Sequence, residues 1–279
     1  MGGCGSDKDE GEGPGGPGPS PQPGAPVFYT AIGASDAVGI GSSAPCLPFA
    51  SCPEGRGYVQ LVAADLGRDG RRLTLRNLGV PGQVLGPRIE DIGNAHGRGI
   101  PGNFLEQQLP FVPAESTLVT VFAGGNDANA VGAAVAGGAG GGDPAGYIDA
   151  QVQTFATDYA ALVRGVRARA PGARVVVLNL PNLAAAPYMA GRPRNERLLM
   201  QRLAVGFGRE GANALASQGA VVVDLLCDPR TYQSGNFSSD GFHPSDAGYA
   251  FMAAEVLRAV NDPGYPPPQA DCAFMRAVQ

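Results

Sequence analysis

Short runs of aliphatic and β-branched residues recur along this chain, and the stretches between them carry apolar residues at helical spacing. The runs are Val27 to Ile32, Leu73 to Leu78, Thr117 to Ala123, Arg174 to Leu180 and Ala220 to Leu225. The helical stretches are Tyr58 to Leu66, Tyr147 to Ala170, Arg194 to Gln218 and Ser245 to Val260, with a short helix expected near Asn103 to Leu109. Thr117 to Ala123 is apolar along its length, which suits a central strand buried on both faces. Strand–helix alternation of this kind predicts an α/β protein, a three-layer α/β/α sandwich with a central parallel sheet. It is read as one domain spanning 27–279, with a Pro-rich C-terminal tail at 262–279. The segments 39–52, 130–146 and 181–193 are read as loops, the middle one an Ala/Gly low-complexity stretch and a candidate lid. A polar, Gly-rich stretch runs up to Gly102.

Composition removes several classes of function. The chain has 279 residues, 44% of them hydrophobic, enough for a sizeable core. Its formal net charge of −5 provides no basic footprint, so nucleic acid is not an expected partner. No apolar run approaches the ~20 residues of a membrane-spanning helix. Residues 1–26 are Gly, Pro, Ser and acidic residues that bury too little surface to order, and are read as a disordered tether. Cys4 follows small residues at the head of that tether, an arrangement similar to bacterial lipoproteins, in which such a cysteine carries lipid. A stray cysteine is the alternative.

The remaining cysteines are Cys46, Cys52, Cys227 and Cys272. Cys46 and Cys52 flank a Pro-containing loop and are placed to bridge locally. Cys272 lies in the tail, which needs an anchor, and Cys227 follows a strand run. The pairs 46–52 and 227–272 leave Cys4 as the odd one, and such bridges would place the chain in an oxidising, extracytoplasmic compartment. Four free thiols are the alternative. With no C-x-x-C spacing and only His96 and His243 for imidazole ligands, no metal site is expected.

Candidate chemistry gathers where the strand runs end. Ser35, in Gly33-Ala34-Ser35-Asp36, sits on a small-residue turn after the first run, at the sheet edge where ligands of open α/β sheets collect. Asp240 and His243, three residues apart in Asp240-Gly241-Phe242-His243-Pro244, are spaced for a carboxylate to fix the imidazole tautomer and leave Nε2 free to take a serine proton. The Gly82 N–H, the Asn126 side-chain amide and the Ser35 N–H are candidate donors to a developing oxyanion. Each block also has an ordinary reading: a helix cap at Ser35, a type II turn at Pro81-Gly82, an Asn-Asp turn at Asn126-Asp127.

Together, Gly33-Ala34-Ser35, Gly82, Gly124-Gly125-Asn126-Asp127 and Asp240-Gly241-Phe242-His243-Pro244 resemble, in order, the blocks of the SGNH (GDSL-type) hydrolases. The resemblance implies a flavodoxin-like SGNH hydrolase fold and hydrolysis of carboxylic esters through an acyl-enzyme. It implies Ser35 as nucleophile, His243 as base, Asp240 as its orienter, and Ser35, Gly82 and Asn126 as the oxyanion hole. No cofactor is implied. Where the family usually has Gly-Asp-Ser, Ala34 replaces the Asp and Asp36 follows the serine, so a changed hydrogen-bond network is expected around the turn. His96 belongs to no block and is read as a loop residue.

The expected partner is a small-molecule, lipid or carbohydrate ester, and the chain is read as a monomer. Tyr188, Met189 and Phe242 are candidate acyl-pocket residues, with packing roles as the alternative. An acyltransferase on the same site, or an inactive surface-binding lipoprotein, are the other functions considered.

Overall fold

The computed structural model describes residues 16–22, 24–47, 50–273 and 275–278. Cys4 and most of the expected tether lie outside the described residues.

The sheet consists of β1 (Val27–Gly33), β2 (Leu73–Asn77), β3 (Leu118–Phe122), β4 (Arg174–Leu178) and β5 (Val221–Val223). All neighbours are parallel, in the order β2-β1-β3-β4-β5. Every residue of β3, β4 and β5 is buried, as uninterrupted apolar runs require when both faces are covered. β2 alternates, exposing Thr74 and Arg76, and is an edge strand protected by that polarity. The register sets Gly33 beside Phe122 and Phe122 beside Leu178, so β1, β3 and β4 end level and their following turns share one edge.

The helices are α1 (Tyr58–Leu66), α2 (Pro87–Ala95), α3 (Phe104–Gln107), α4 (Gly125–Ala136), α5 (Pro144–Arg169), α6 (Arg194–Gly206) and α7 (Asp246–Asn261). α1 packs against α7 on one side of the sheet, and α2, α4, α5 and α6 pack among themselves on the other. The result is the α/β/α sandwich with an all-parallel sheet that the alternation predicts.

Three expectations need correction. The polar stretch before Gly102 contains α2, which starts on Pro87, a residue pre-set for the first helical position, and buries Ile89 and Gly93. Residues 130–136 are not loop but the second half of α4, with Ala128, Ala130, Val131 and Ala134 buried. The low-complexity composition there reflects close helix packing: a Cβ on Gly93 would lie 3.1 Å from the Ala130 methyl. Residues 194–218 are not one regular helix. α6 ends at Gly206, a π turn spans Phe207–Ala212, and a 3-10 stretch runs Asn213–Gln218. At Gly206 and Gly211 an added Cβ would come within 2.8 Å of Val152 or Phe155 on α5, so the chain passes too near that helix for side chains.

Both expected disulfides are formed, Cys46–Cys52 and Cys227–Cys272. The second staples the Pro-rich tail to the loop after β5. The tail continues to Arg276, whose carbonyl accepts from Asn182 Nδ2 at 2.8 Å, and Val278, whose N–H donates to Gln201 Oε1 at 2.6 Å.

Candidate active site

β1 delivers Ser35 to the carboxyl edge of the sheet, almost fully buried at 6% exposure. The turn is closed by Ala37 N–H to Ala34 O and Ile40 N–H to Ser35 O. Asn77, at the end of β2, donates to Ala37 O at 2.7 Å and accepts from Gly79 N–H, holding the turn where the family's usual Asp is absent. Asp36 lines the cavity beside Ser35. Burial pushes its carboxyl up, and the nearby Asp240 carboxylate adds to that.

The imidazole arrives from the opposite end of the chain. His243 Nε2 lies 2.9 Å from Ser35 Oγ, and His243 Nδ1 lies 2.6 Å from Asp240 Oδ2. A carboxylate accepts only, so Nδ1 carries the proton and Nε2 presents its lone pair to the serine hydroxyl. Burial opposes the Asp240 charge. It is outweighed by hydrogen bonds from His243 Nδ1, the Phe242 and His243 N–H groups and Ser238 Oγ, which hold the carboxyl far below its usual range. The loop is closed by Ser238 N–H to His243 O and by a bridge between Phe237 and Pro244. Gly41, at φ +94°, is where the two loops touch; a Cβ there would lie 2.7 Å from His243 Cβ.

Gly82 has φ +86°, a conformation open to glycine with little strain. No acceptor among the described residues takes the Ser35 or Gly82 N–H. Asn126 Nδ2 donates one proton to Gln83 O at 2.9 Å, leaving its other N–H. Beside it, Asp127 is fully buried and accepts from Leu85 N–H at 2.8 Å. Burial raises its carboxyl to about 7, with hydrogen bonds from the Leu85, Asp127 and Gly124 N–H groups opposing the rise.

Ser35 and Asn126 border a cavity of ≈ 750 Å³, open mouth included. Phe122, Leu180, Leu183, Leu225, Phe242 and Met252 make most of its apolar lining, and Asp36, Gln83, Asp127, Thr231 and Asn236 add polar groups. Of the expected pocket residues, only Phe242 lines it. Tyr188 sits behind, edge-on to Phe242 with ring centroids 5.1 Å apart, and Met189 is a core residue at 4% exposure. The expected surrounding loops contribute only Pro181 and Leu183 to the lining; 39–47, 50–52 and 130–146 contribute none. His96 caps the exposed end of α2 and bonds Ile92 O. The buried glutamines Gln83 and Gln108, which join the turns of this edge, carry no signal in the sequence; their side-chain partners lie 24 to 75 residues away.

A serine, imidazole and carboxylate in line at the edge of an all-parallel sheet define an α/β protein of the hydrolase type. The profile of the GDSL-like lipase/acylhydrolase family matches residues 31–251, and the chain belongs to that family. No curated protein matches it. Among solved structures it is similar to an extracellular lipase from Streptomyces rimosus, at 21% identity and TM-score 0.58, covering 84% of this chain and 99% of that one. It is likewise similar to phospholipase A1 from Streptomyces albidoflavus, at 19% identity and TM-score 0.56, covering 84% and 99%. An acetylxylan esterase from Geobacillus stearothermophilus is similar at 18% identity and TM-score 0.53, covering 89% and 99%. At these identities the likeness is one of fold.

Proposed function

We propose that this protein is a serine carboxylester hydrolase acting on esters with an apolar acyl group. The observation that carries the reading is the unbroken line from Asp240 through His243 to Ser35, with contacts of 2.6 and 2.9 Å. Ser35 Oγ attacks the ester carbonyl while His243 Nε2 takes its proton, and Asp240 stabilises the imidazolium that forms. The carbonyl oxygen becomes an oxyanion, received by the Ser35 and Gly82 N–H groups and the free Asn126 N–H. His243 then protonates the departing alkoxide, giving the alcohol and an acyl-Ser35. Water, deprotonated by His243, attacks that ester; the carboxylic acid leaves and Ser35 recovers its proton.

The cavity supports an aliphatic acyl chain better than a polar one, because Leu180, Leu183, Leu225 and Met252 offer it no hydrogen bonds. The lipase and phospholipase among the similar structures agree with that preference; the acetylxylan esterase marks the short-chain end of the range. The two disulfides support work outside the cytoplasm, where such bonds persist. Residues 1–26 act in this reading as a tether to the domain, with Cys4 as the point of lipid attachment.

The test is hydrolysis of p-nitrophenyl esters from acetate to long acyl chains, by wild type and Ser35→Ala. Wild type is expected to turn over with an optimum above acetate, and Ser35→Ala to lose several orders of magnitude in kcat. Full activity in Ser35→Ala removes the serine, and with it the mechanism.

A further inference from the structure

We infer that Gln108 and Gln83 form a positioning device for the oxyanion donors, an assignment that rests on the serine-hydrolase reading above. β2 ends at Asn77, level with Ala31, so Gly33 extends beyond the last residue of its neighbour strand. The chain after β2 still donates Leu78 N–H to Ala31 O and Val80 N–H to Gly33 O at 3.3 Å, and that edge is completed by the buried carboxamide of Gln108. Its Oε1 accepts from Gly33 N–H at 3.0 Å and its Nε2 donates to Gly33 O at 2.8 Å, as a peptide group of a longer strand would. The second Nε2 proton goes to Gln83 Oε1 at 2.6 Å. Both N–H groups of the Gln108 amide are therefore used, and its orientation is fixed by the Gly33 peptide groups it faces.

That orientation propagates. With its oxygen turned to Gln108, Gln83 directs its own Nε2 to Gln107 Oε1. The Gln83 side chain, 3% exposed, is thus held at both ends, by the buried Gln108 and by the exposed Gln107. Gln83 follows Gly82 directly, and its main-chain carbonyl receives Asn126 Nδ2. One continuous path therefore joins Gly33, two residues before the Ser35 donor, to the residue that follows Gly82 and to the Asn126 amide, so it reaches one oxyanion donor directly and the other two through adjoining backbone. Both relays are neutral amides, so the path keeps its donors and acceptors across the pH range. Donors that must meet charge as it develops act through fixed placement, and loosening them lowers kcat more than it changes substrate affinity.

The experiment measures kcat and KM separately on p-nitrophenyl butyrate for the full chain and for Gln108→Leu, Gln83→Leu, Asn126→Ala, Ser35→Ala and the double variants pairing each glutamine change with Asn126→Ala. Gln108→Leu is expected to lower kcat by about 10- to 100-fold, a range set by the sensitivity of catalysis to small misplacement, with KM within about twofold. Gln83→Leu is expected to show the same split. In each double variant the combined loss is expected to fall well short of the product of the single losses, because both changes act on the same donor. A role confined to packing would lower Tm and leave the kcat of the folded fraction unchanged; that result, or losses that multiply, overturns the assignment. Should Gln108→Leu fail to fold, the cycle on Gln83→Leu decides alone, since Gln83 bonds no strand residue. An inactive wild type, or an active Ser35→Ala, overturns the hydrolase reading itself; a null Ser35→Ala with unimpaired glutamine variants overturns only the positioning device.

Discussion

The candidate site has two halves built on different terms. Ser35 and Gly82 stand on turns after β1 and β2, Asn126 stands in the first turn of α4 after β3, and the three regions are joined by buried side-chain amides. Asp240 and His243 ride on a loop of the outer surface, with the Asp240 side chain 45% exposed and His243 16%. The first half takes its precision from the sheet and from hydrogen bonds that water does not compete for. The second takes it from a four-bond carboxylate and a short turn. It is stitched to the first by Tyr249 OH to Ile40 O at 2.6 Å, by Ser43 to Asp246, and by the close approach at Gly41. A buried half holds Ser35 while a half tied down by surface contacts brings His243 to it. Exposure of Asp240 leaves its role to geometry and tautomer control rather than to a desolvated charge.

That contrast can be broken most sharply by kinetics. Asp240→Asn offers His243 a donor as well as an acceptor and lets the imidazole adopt the wrong tautomer; kcat is expected to fall by about 10³- to 10⁴-fold. Asn126→Ala removes one of three oxyanion donors and is expected to cost roughly 10²- to 10³-fold. A reversed order in p-nitrophenyl butyrate turnover would mean that the buried half, not the surface loop, sets the larger share of the barrier.

Stability probes the same division. Cys227–Cys272 closes 45 residues and pins the tail that meets Asn182 beside the cavity wall, whereas Cys46–Cys52 closes only 6. Replacing the first pair by serine is expected to lower unfolding free energy by roughly 2–4 kcal/mol, and replacing the second by less, in urea melts. Equal losses would remove loop length as the cause.

The smallest effect concerns Asp127, the buried carboxyl behind Asn126. Its folded pKa is raised from 3.8 to about 7, so the native state holds a proton that the unfolded chain releases between those values. Stability therefore falls as pH rises through that window and stays lower above it. Asp127→Asn keeps an acceptor for Leu85 N–H and removes the charge. It is expected to gain about 1–3 kcal/mol relative to wild type at pH 8, with the advantage gone below about pH 4. A difference independent of pH would show that Asp127 is ionised in both states or in neither.

What the sequence discloses follows from how local each signal is. Valine-rich runs mark β3, β4 and β5 because two-sided burial leaves few polar positions, Thr120 and Arg174 among them. Ser35, Asp240 and His243 are legible because each sits in a short block with its own turn residues. α2 and α4 are hidden by their glycines, which read as loop until the packing against Ile100, Ala130 and Met200 is known. Met189 and Tyr188 share a loop with the cavity wall, and only tertiary packing turns them away from it. Gln83 and Gln108 are the least legible, since a buried glutamine has the same local context as an exposed one.

The hydrogen bond between Ser35 and His243 spans 208 residues of chain. Contacts that distant form late, because the loop they close must be ordered first. Any chemistry shared by these two side chains therefore begins only when α7 has docked and Tyr249 has met Ile40. A nascent or truncated chain lacking its last helix would still carry Asp240 and His243, but without the Tyr249 and Asp246 contacts that hold their loop against Ile40 and Ser43.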